Sequence, residues 1–219
     1  MQAIFFLGLV IIGVPVGLTA INILQNGLGG YKGRSMDEIL GCPAEAATVT
    51  DLARLSKAQL MQLFYAAPAP HSDDLDGEYE ARLISVGVLA GVNAVYTRNF
   101  FGPGRWIGKA FKPLKNSSES GYNLFRLSQG AVARTRRMRT YIGPSSIDRN
   151  QSFHLDYSPY NSGLVHGMHD EIRRINTELF LGMGCMALGG GSINPAPFVV
   201  HGPAKPWAGP DADPGPTGS

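Results

Sequence analysis

Cysteine is scarce in this chain. The sequence holds only Cys42 and Cys185, too far apart to form a Cys-x-x-Cys metal or redox pair. Whether the two join in a disulfide stays open at the level of sequence. An excess of one charge is also missing, since 19 basic side chains against 17 acidic ones leave a formal net charge of +2. A general nucleic-acid binder carries a strongly basic domain, so nucleic acid is not an expected partner. The sequence has no Walker-type phosphate loop, no Gly-x-Ser-x-Gly nucleophile elbow, no His-Glu-x-x-His and no dinucleotide fingerprint. Gly182-Met183-Gly184 lacks a third glycine three residues on, and Gly189-Gly190-Gly191 follows a strand pattern with no helix after it. Phosphoryl transfer, zinc-protease chemistry and hydride transfer lose their usual signatures, and no cofactor is expected.

Turn-forming residues are plentiful. The 28 glycines and 15 prolines favour many turns and short strands over long helices. A chain of 219 residues is one ordinary domain with appendages.

Residues 1–24 contain no charged side chain, and Ile4 to Val14 is almost wholly apolar. As a helix, about 24 residues at ~1.5 Å each span about 36 Å, enough for a hydrocarbon core of ~30 Å. Pro15 and Gly17 are tolerated in such a span. A cleaved signal peptide fits less well, because no Lys or Arg precedes the apolar run and Leu18-Thr19-Ala20 is a poor cleavage site; a buried helix is the third reading. The first basic residues, Lys32 and Arg34, follow the span, which places the body on the cytoplasmic side of a single-pass anchor. Residues 25–75 read as a linker with one short amphipathic helix. There Ser56-Lys57-Ala58-Gln59 fits a capping box, Leu60, Met61, Leu63 and Phe64 follow at helical spacing, and Pro68 and Pro70 end the helix near Ala66.

From residue 76 the pattern changes to alternation. Tyr79, Ala81 and Leu83 lie on one face and Glu78, Glu80 and Arg82 on the other, the mark of a strand with a dry and a wet side. Residues 86–101 suit a short helical or irregular lid, or equally a stretch that reaches the membrane beside the anchor. Trp106, Gly108 and Ala110 then alternate with Ile107, Lys109 and Phe111, and glycines beside a large aromatic suggest a bend or a close backbone approach. Further strands are expected at 121–127, 131–142, 151–157, 169–175, 178–187 and 197–201. With 77–84 and 105–112 these make eight, mainly β and antiparallel, enough to close a barrel around side chains or one small ligand. The barrel is expected over 76–202 and a disordered tail over 203–219.

Gly104-Arg105-Trp106-Ile107-Gly108-Lys109 followed by Phe111 resembles the GXWXG motif of a small domain of unknown function. Gly77-Glu78-Tyr79 is similar to the opening of a lipocalin first strand, with tyrosine in place of tryptophan. Met168 to Ile175 followed by Leu179-Phe180-Leu181-Gly182 is similar to the closing hairpin of lipocalin-like barrels. The resemblance covers about residues 76–202 and implies a ligand-holding barrel; it carries over no catalytic residue.

Candidate site residues follow from the alternation. In the run Arg134-Thr135-Arg136-Arg137-Met138-Arg139, Arg134 and Arg136 share one strand face and Arg137 and Arg139 the other. An inward pair would hold a carboxylate or phosphate head group or need Asp148 or Asp156 as a partner. Trp106, Phe125 and Tyr122 are the expected ligand-lining aromatics, beside Arg134 and Arg136. His154 and Asp156, at i and i+2, are the first candidates for a general base and its orienting group. His166, His169 and Asp170 are spaced too loosely to name a metal, and none is expected. The leading function is a membrane-tethered, lipocalin-like protein that binds a hydrophobic or amphipathic small molecule. The alternatives are a barrel enzyme, an isomerase or cyclase acting on a hydrophobic metabolite, and an accessory subunit of a membrane protein complex.

Overall fold

Eight antiparallel strands close on themselves in sequence order: β1 (Gly77–Leu83), β2 (Arg105–Phe111), β3 (Ser118–Arg126), β4 (Val132–Pro144), β5 (Gln151–Asp156), β6 (Met168–Arg174), β7 (Leu179–Met186) and β8 (Ala196–Lys205). The last pair, β1 with β8, seals the cylinder and leaves no open edge. The structure is a computed structural model and describes residues 16–27, 29–85, 87–115 and 118–212. The order, type and approximate bounds of all eight strands follow the alternation in the sequence. The expected anchor falls mainly on residues 1–15, outside the described residues. Residues 16–24 are helical, and no helix among the described residues is long and apolar enough to cross a membrane.

The inner face of the barrel is an aromatic core. Tyr79, Trp106, Phe111, Phe125, Phe153, Tyr157, Phe180 and Phe198 are all buried in one cluster, and their rings meet edge-on, as between Phe111 and Phe153 at 5.7 Å. Glycine makes room for them at one point of the wall. A Cβ at Gly182 would overlap the Phe198 ring that lies across it.

The outer face of β7 and β8 is apolar too, because a helical layer covers it. Leu179, Leu181, Met183 and Val199 bury against α1 (Met36–Leu40), α2 (Val49–Arg54) and α3 (Lys57–Ala66). The Ser56 capping box and the bounds of α3 match the sequence reading. Fully buried Arg173 on β6 fixes the far end of α3. Its guanidinium donates to the carbonyls of Phe64 (3.3 Å) and Ala67 (3.1 Å), pairs with Asp148 at 2.7 Å, and lies over the Phe64 ring. Orphan carbonyls at a helix end gain a cation in this way.

A second clamp holds the described N-terminal helix against the barrel end. Asn22 Nδ2 donates to Asn194 Oδ1 at 2.7 Å, and the buried Lys57 ammonium donates to Asn22 O (3.2 Å) and Asn194 Oδ1 (3.1 Å). Burial draws Lys57 down to about 8. The chain beyond β8 does not leave the barrel at once: Trp207 packs on Tyr122, ring centroids 4.5 Å apart, and Asp211 bonds the backbone N–H of Arg134 at 2.7 Å.

Two predictions follow from these contacts. Gly182→Ala should lower stability by about 1–3 kcal/mol through overpacking, read from the denaturant midpoint. The folded state binds fewer protons than the unfolded chain between about pH 8 and the ordinary lysine value of ~10.4, so Lys57 adds a rise in stability with pH across that window. The Tm of wild type should therefore climb relative to Lys57→Met from pH 8 to pH 10.

Candidate functional site

Strand alternation is broken where it matters most. Between β2 and β3, Trp106 faces Phe125 while Gly108 already faces Leu124, so Ile107 is an extra residue, a β-bulge. The bulge turns Trp106, Lys109 and Phe111 to the same side. Strict alternation would have sent Lys109 to the face opposite Trp106; instead its ammonium is buried inside the barrel among the aromatic rings. It lies 5.2 Å from the Trp106 centroid and 5.1 Å from that of Phe198, close enough for cation–π attraction.

Five polar groups meet there. Lys109 Nζ pairs with Asp170 Oδ2 at 3.0 Å and donates to Asn123 Oδ1 at 3.1 Å and to the Tyr157 hydroxyl oxygen. Tyr157 O–H donates to Asp170 Oδ2 at 3.0 Å, and Trp106 Nε1–H donates to Asn123 Oδ1 at 3.1 Å. Burial pulls Lys109 below the usual lysine range, against the opposing pull of the Asp170 charge. Burial pushes the Tyr157 phenol well above its usual value, and the Asp170 carboxylate adds to the rise. One atom of the network is unserved. Asp170 Oδ1 is buried and has no hydrogen-bond partner, a costly condition for a carboxylate oxygen.

This network is the floor of a cavity of about 530 Å³ that runs from Lys109 and Asp170 to the barrel mouth. Its walls are Leu83, Phe101, Trp106, Met168, Ala196 and Phe198. The mouth is roofed by α4 (Ala90–Asn99), through Val92, Tyr96 and Thr97, and by Leu18 and Asn22 of the N-terminal helix. Helix α4 is the lid expected over 86–101. Its hold on the barrel is light: Tyr96 O–H reaches Met168 Sδ at 3.3 Å, and no side chain of α4 is buried.

The residues singled out in the sequence fall in several places. Trp106 lines the cavity and Phe125 stands behind it, against Phe101 at 5.3 Å. Tyr122 and Arg134 lie on the outside of the barrel, joined through Glu78, to which Arg134 Nε donates at 2.7 Å. The Glu78 contact follows burial in pushing Tyr122 up to about 12. A second bulge, in β4, sits at Arg136, whose φ is 55°. It sends the Arg136 guanidinium to the backbone carbonyl of Phe101, 2.7 Å away. The cation of the interior is thus a lysine, and neither Arg134 nor Arg136 borders the cavity.

His154 and Asp156 are both outside the barrel and do not bond each other. Asp156 pairs with Arg139 at 2.7 Å and caps Ser158. His154 instead meets His169 across 2.7 Å and Gly143 O across 3.1 Å, beneath the ring of Tyr141, with Glu171 beside it on β6. Burial lowers His154 from the usual histidine value. Both cysteines are free thiols; Cys185 borders the cavity, and burial raises its thiol far above the usual range.

No protein-family model matches the sequence, and no curated protein matches it. The GXWXG resemblance of Gly104 to Lys109 therefore stands on those residues alone. A crystal structure of a protein from Thermomonospora curvata is similar to this chain with a TM-score of 0.47 and 16% identity, covering 67% of this chain and 87% of that one.

Removing one partner of the buried pair strands the other charge. Lys109→Met should cost about 3–5 kcal/mol, and the double variant Lys109→Met/Asp170→Leu should recover most of that loss. Urea midpoints of the two variants check this directly.

Proposed function

We propose that the protein binds a hydrophobic or amphipathic small molecule inside the barrel, with the barrel mouth turned toward a membrane. The observation that carries the reading is the unpartnered Asp170 Oδ1 at the floor of an otherwise apolar, aromatic-lined cavity. A ligand site of this size is typically apolar with a few fixed polar groups that set orientation. Here the fixed groups are a donor, Lys109, and an acceptor, Asp170. A ligand with an apolar body and one hydroxyl or amine at its inner end fits both: its body fills the space beneath α4, and its O–H or N–H meets the Asp170 side chain, whose Oδ1 has no other partner. The net neutrality of the Lys109–Asp170 pair argues for a neutral or singly polar head over a strong acid.

The membrane part of the proposal rests on the rim. Large apolar side chains stand exposed around the mouth: Val92 and Phe100 with the α4 region, Leu164 beside it, and Leu188 and Ile193 between β7 and β8. A contiguous exposed apolar patch marks an interaction surface. Such a rim, in a sequence whose first 24 residues carry no charge, suits a surface that dips into lipid and draws its ligand from there.

Native mass spectrometry of the gently purified full chain tests the binding. One apolar molecule should accompany each chain, and Ala196→Trp, which sets an indole into the cavity, should sharply lower the fraction of chains carrying it while the circular dichroism spectrum is kept. A bare wild type that also takes up nothing from a total lipid extract would contradict the reading.

A further inference from the structure

Outside the barrel wall, behind the cavity floor, β5 and β6 bring two imidazoles and a carboxylate together. A nitrogen of His154, a nitrogen of His169 and a carboxylate oxygen of Glu171 all lie within 4.8 Å of one another. We propose that this trio binds a first-row divalent transition metal, with zinc as the reference ion.

The argument starts from the protons. His154 Nε2 faces the carbonyl oxygen of Gly143 at 3.1 Å. A carbonyl only accepts, so Nε2 carries the hydrogen and the lone pair of neutral His154 sits on Nδ1. That lone pair points at His169 Nε2, 2.7 Å away. Backbone carbonyls that fix a ligating histidine's tautomer from behind are a recurring outer shell of metal sites. Glu171 is prepared in the same manner. Its Oε1 accepts from Ser146 N at 2.8 Å and Ser146 Oγ at 2.6 Å, which orients the carboxylate, while Oε2 is buried without any partner. Glu171 is fully buried, yet no lysine or arginine is paired with it among the described residues. A buried carboxylate with a bare oxygen, set against two imidazoles, lacks a positive partner, and a divalent cation supplies one.

The donor set selects the class of ion. Two imidazole nitrogens and one carboxylate suit zinc, iron, cobalt or nickel better than magnesium or calcium, which prefer all-oxygen shells. Bonds of about 2.0–2.1 Å at tetrahedral angles set two ligating nitrogens about 3.3 Å apart. The imidazoles therefore part by about 0.6 Å on binding, and His169, which donates Nε2–H to His154 in the metal-free chain, gives up that hydrogen to solvent and carries its one ring hydrogen on Nδ1. His169 is only partly buried, and its open side gives the ion its path in. Three protein ligands leave a position for water, the pattern of an open rather than a closed site. His169 and Glu171 flank Asp170 on β6, so an ion held there braces the strand segment that carries the cavity floor.

The test uses the metal-free full chain, titrated with Zn²⁺ by calorimetry and with Co²⁺ by visible absorption. One ion per chain should bind, with the ligand-field bands of nitrogen and oxygen coordination, and Zn²⁺ should raise the Tm. Ser146→Ala should weaken affinity about 10-fold or more through the orienting bond, Glu171→Gln more strongly, and His169→Ala should abolish stoichiometric binding. His166→Ala, a histidine outside the trio, should bind as wild type does. His169 is half-exposed, so its variant should keep the metal-free fold, checked by circular dichroism. A wild type that binds no ion at one per chain, or a folded His169→Ala that binds like wild type, overturns the proposal.

Discussion

A lysine ammonium and an aspartate carboxylate, both withdrawn from water inside an aromatic barrel, set the terms for everything around them. Taking two charges out of water costs several kcal/mol each, and their attraction offsets this only with good geometry and further hydrogen bonds. The surroundings supply these: Tyr157 bonds both members of the pair, Asn123 accepts from the ammonium, and Trp106 and Phe198 present ring faces to it. One carboxylate oxygen is left over, buried without a partner on a residue that lines the cavity. A barrel built only for stability would have little use for such a pair, because apolar residues of like volume serve as well or better. The arrangement is a polar fixture with an unfilled valence on a residue at the cavity floor.

The rest of the molecule keeps that fixture rigid on three sides and loose on the fourth. The β1–β8 seam closes the cylinder, the helices α1–α3 brace the outer face of β7 and β8, and Arg173 ties α3 to β6. At the mouth, α4 buries none of its side chains and the N-terminal helix is held by a few polar contacts through Asn22, Asn194 and Lys57. Elements with few buried contacts open at low cost. The wall is thus a frame, and the roof is the part able to admit a ligand.

Much of the architecture was legible in the sequence, because a two-residue period survives along most strands. Tyr79, Ala81 and Leu83 point inward as their alternation implies, and the Ser56 capping box fixes the start of α3. The site was less legible, and two bulges explain why. An extra residue at Ile107 turns Lys109 inward beside Trp106, and another at Arg136 turns that guanidinium to a backbone carbonyl. A bulge leaves no dependable mark in a single sequence, since it depends on the partner strand. Gly104 and Gly108, on either side of Trp106, did signal an irregular strand there. Asp170, His169 and Glu171 were hidden for another reason: consecutive residues of one strand serve opposite faces, so one short run holds the cavity floor and the outer histidine–carboxylate cluster together. Cross-strand partners such as His154 with Glu171 become visible only with the register in hand.

A crystal structure of the gently purified full chain bears most directly on the central claim. Electron density for an apolar molecule should fill the space between α4 and Trp106, with a hydroxyl or amine of that molecule at hydrogen-bonding distance from Asp170 Oδ1. A cavity closed by inward collapse of Tyr96 and α4, with Asp170 Oδ1 satisfied by the protein's own groups, would contradict it.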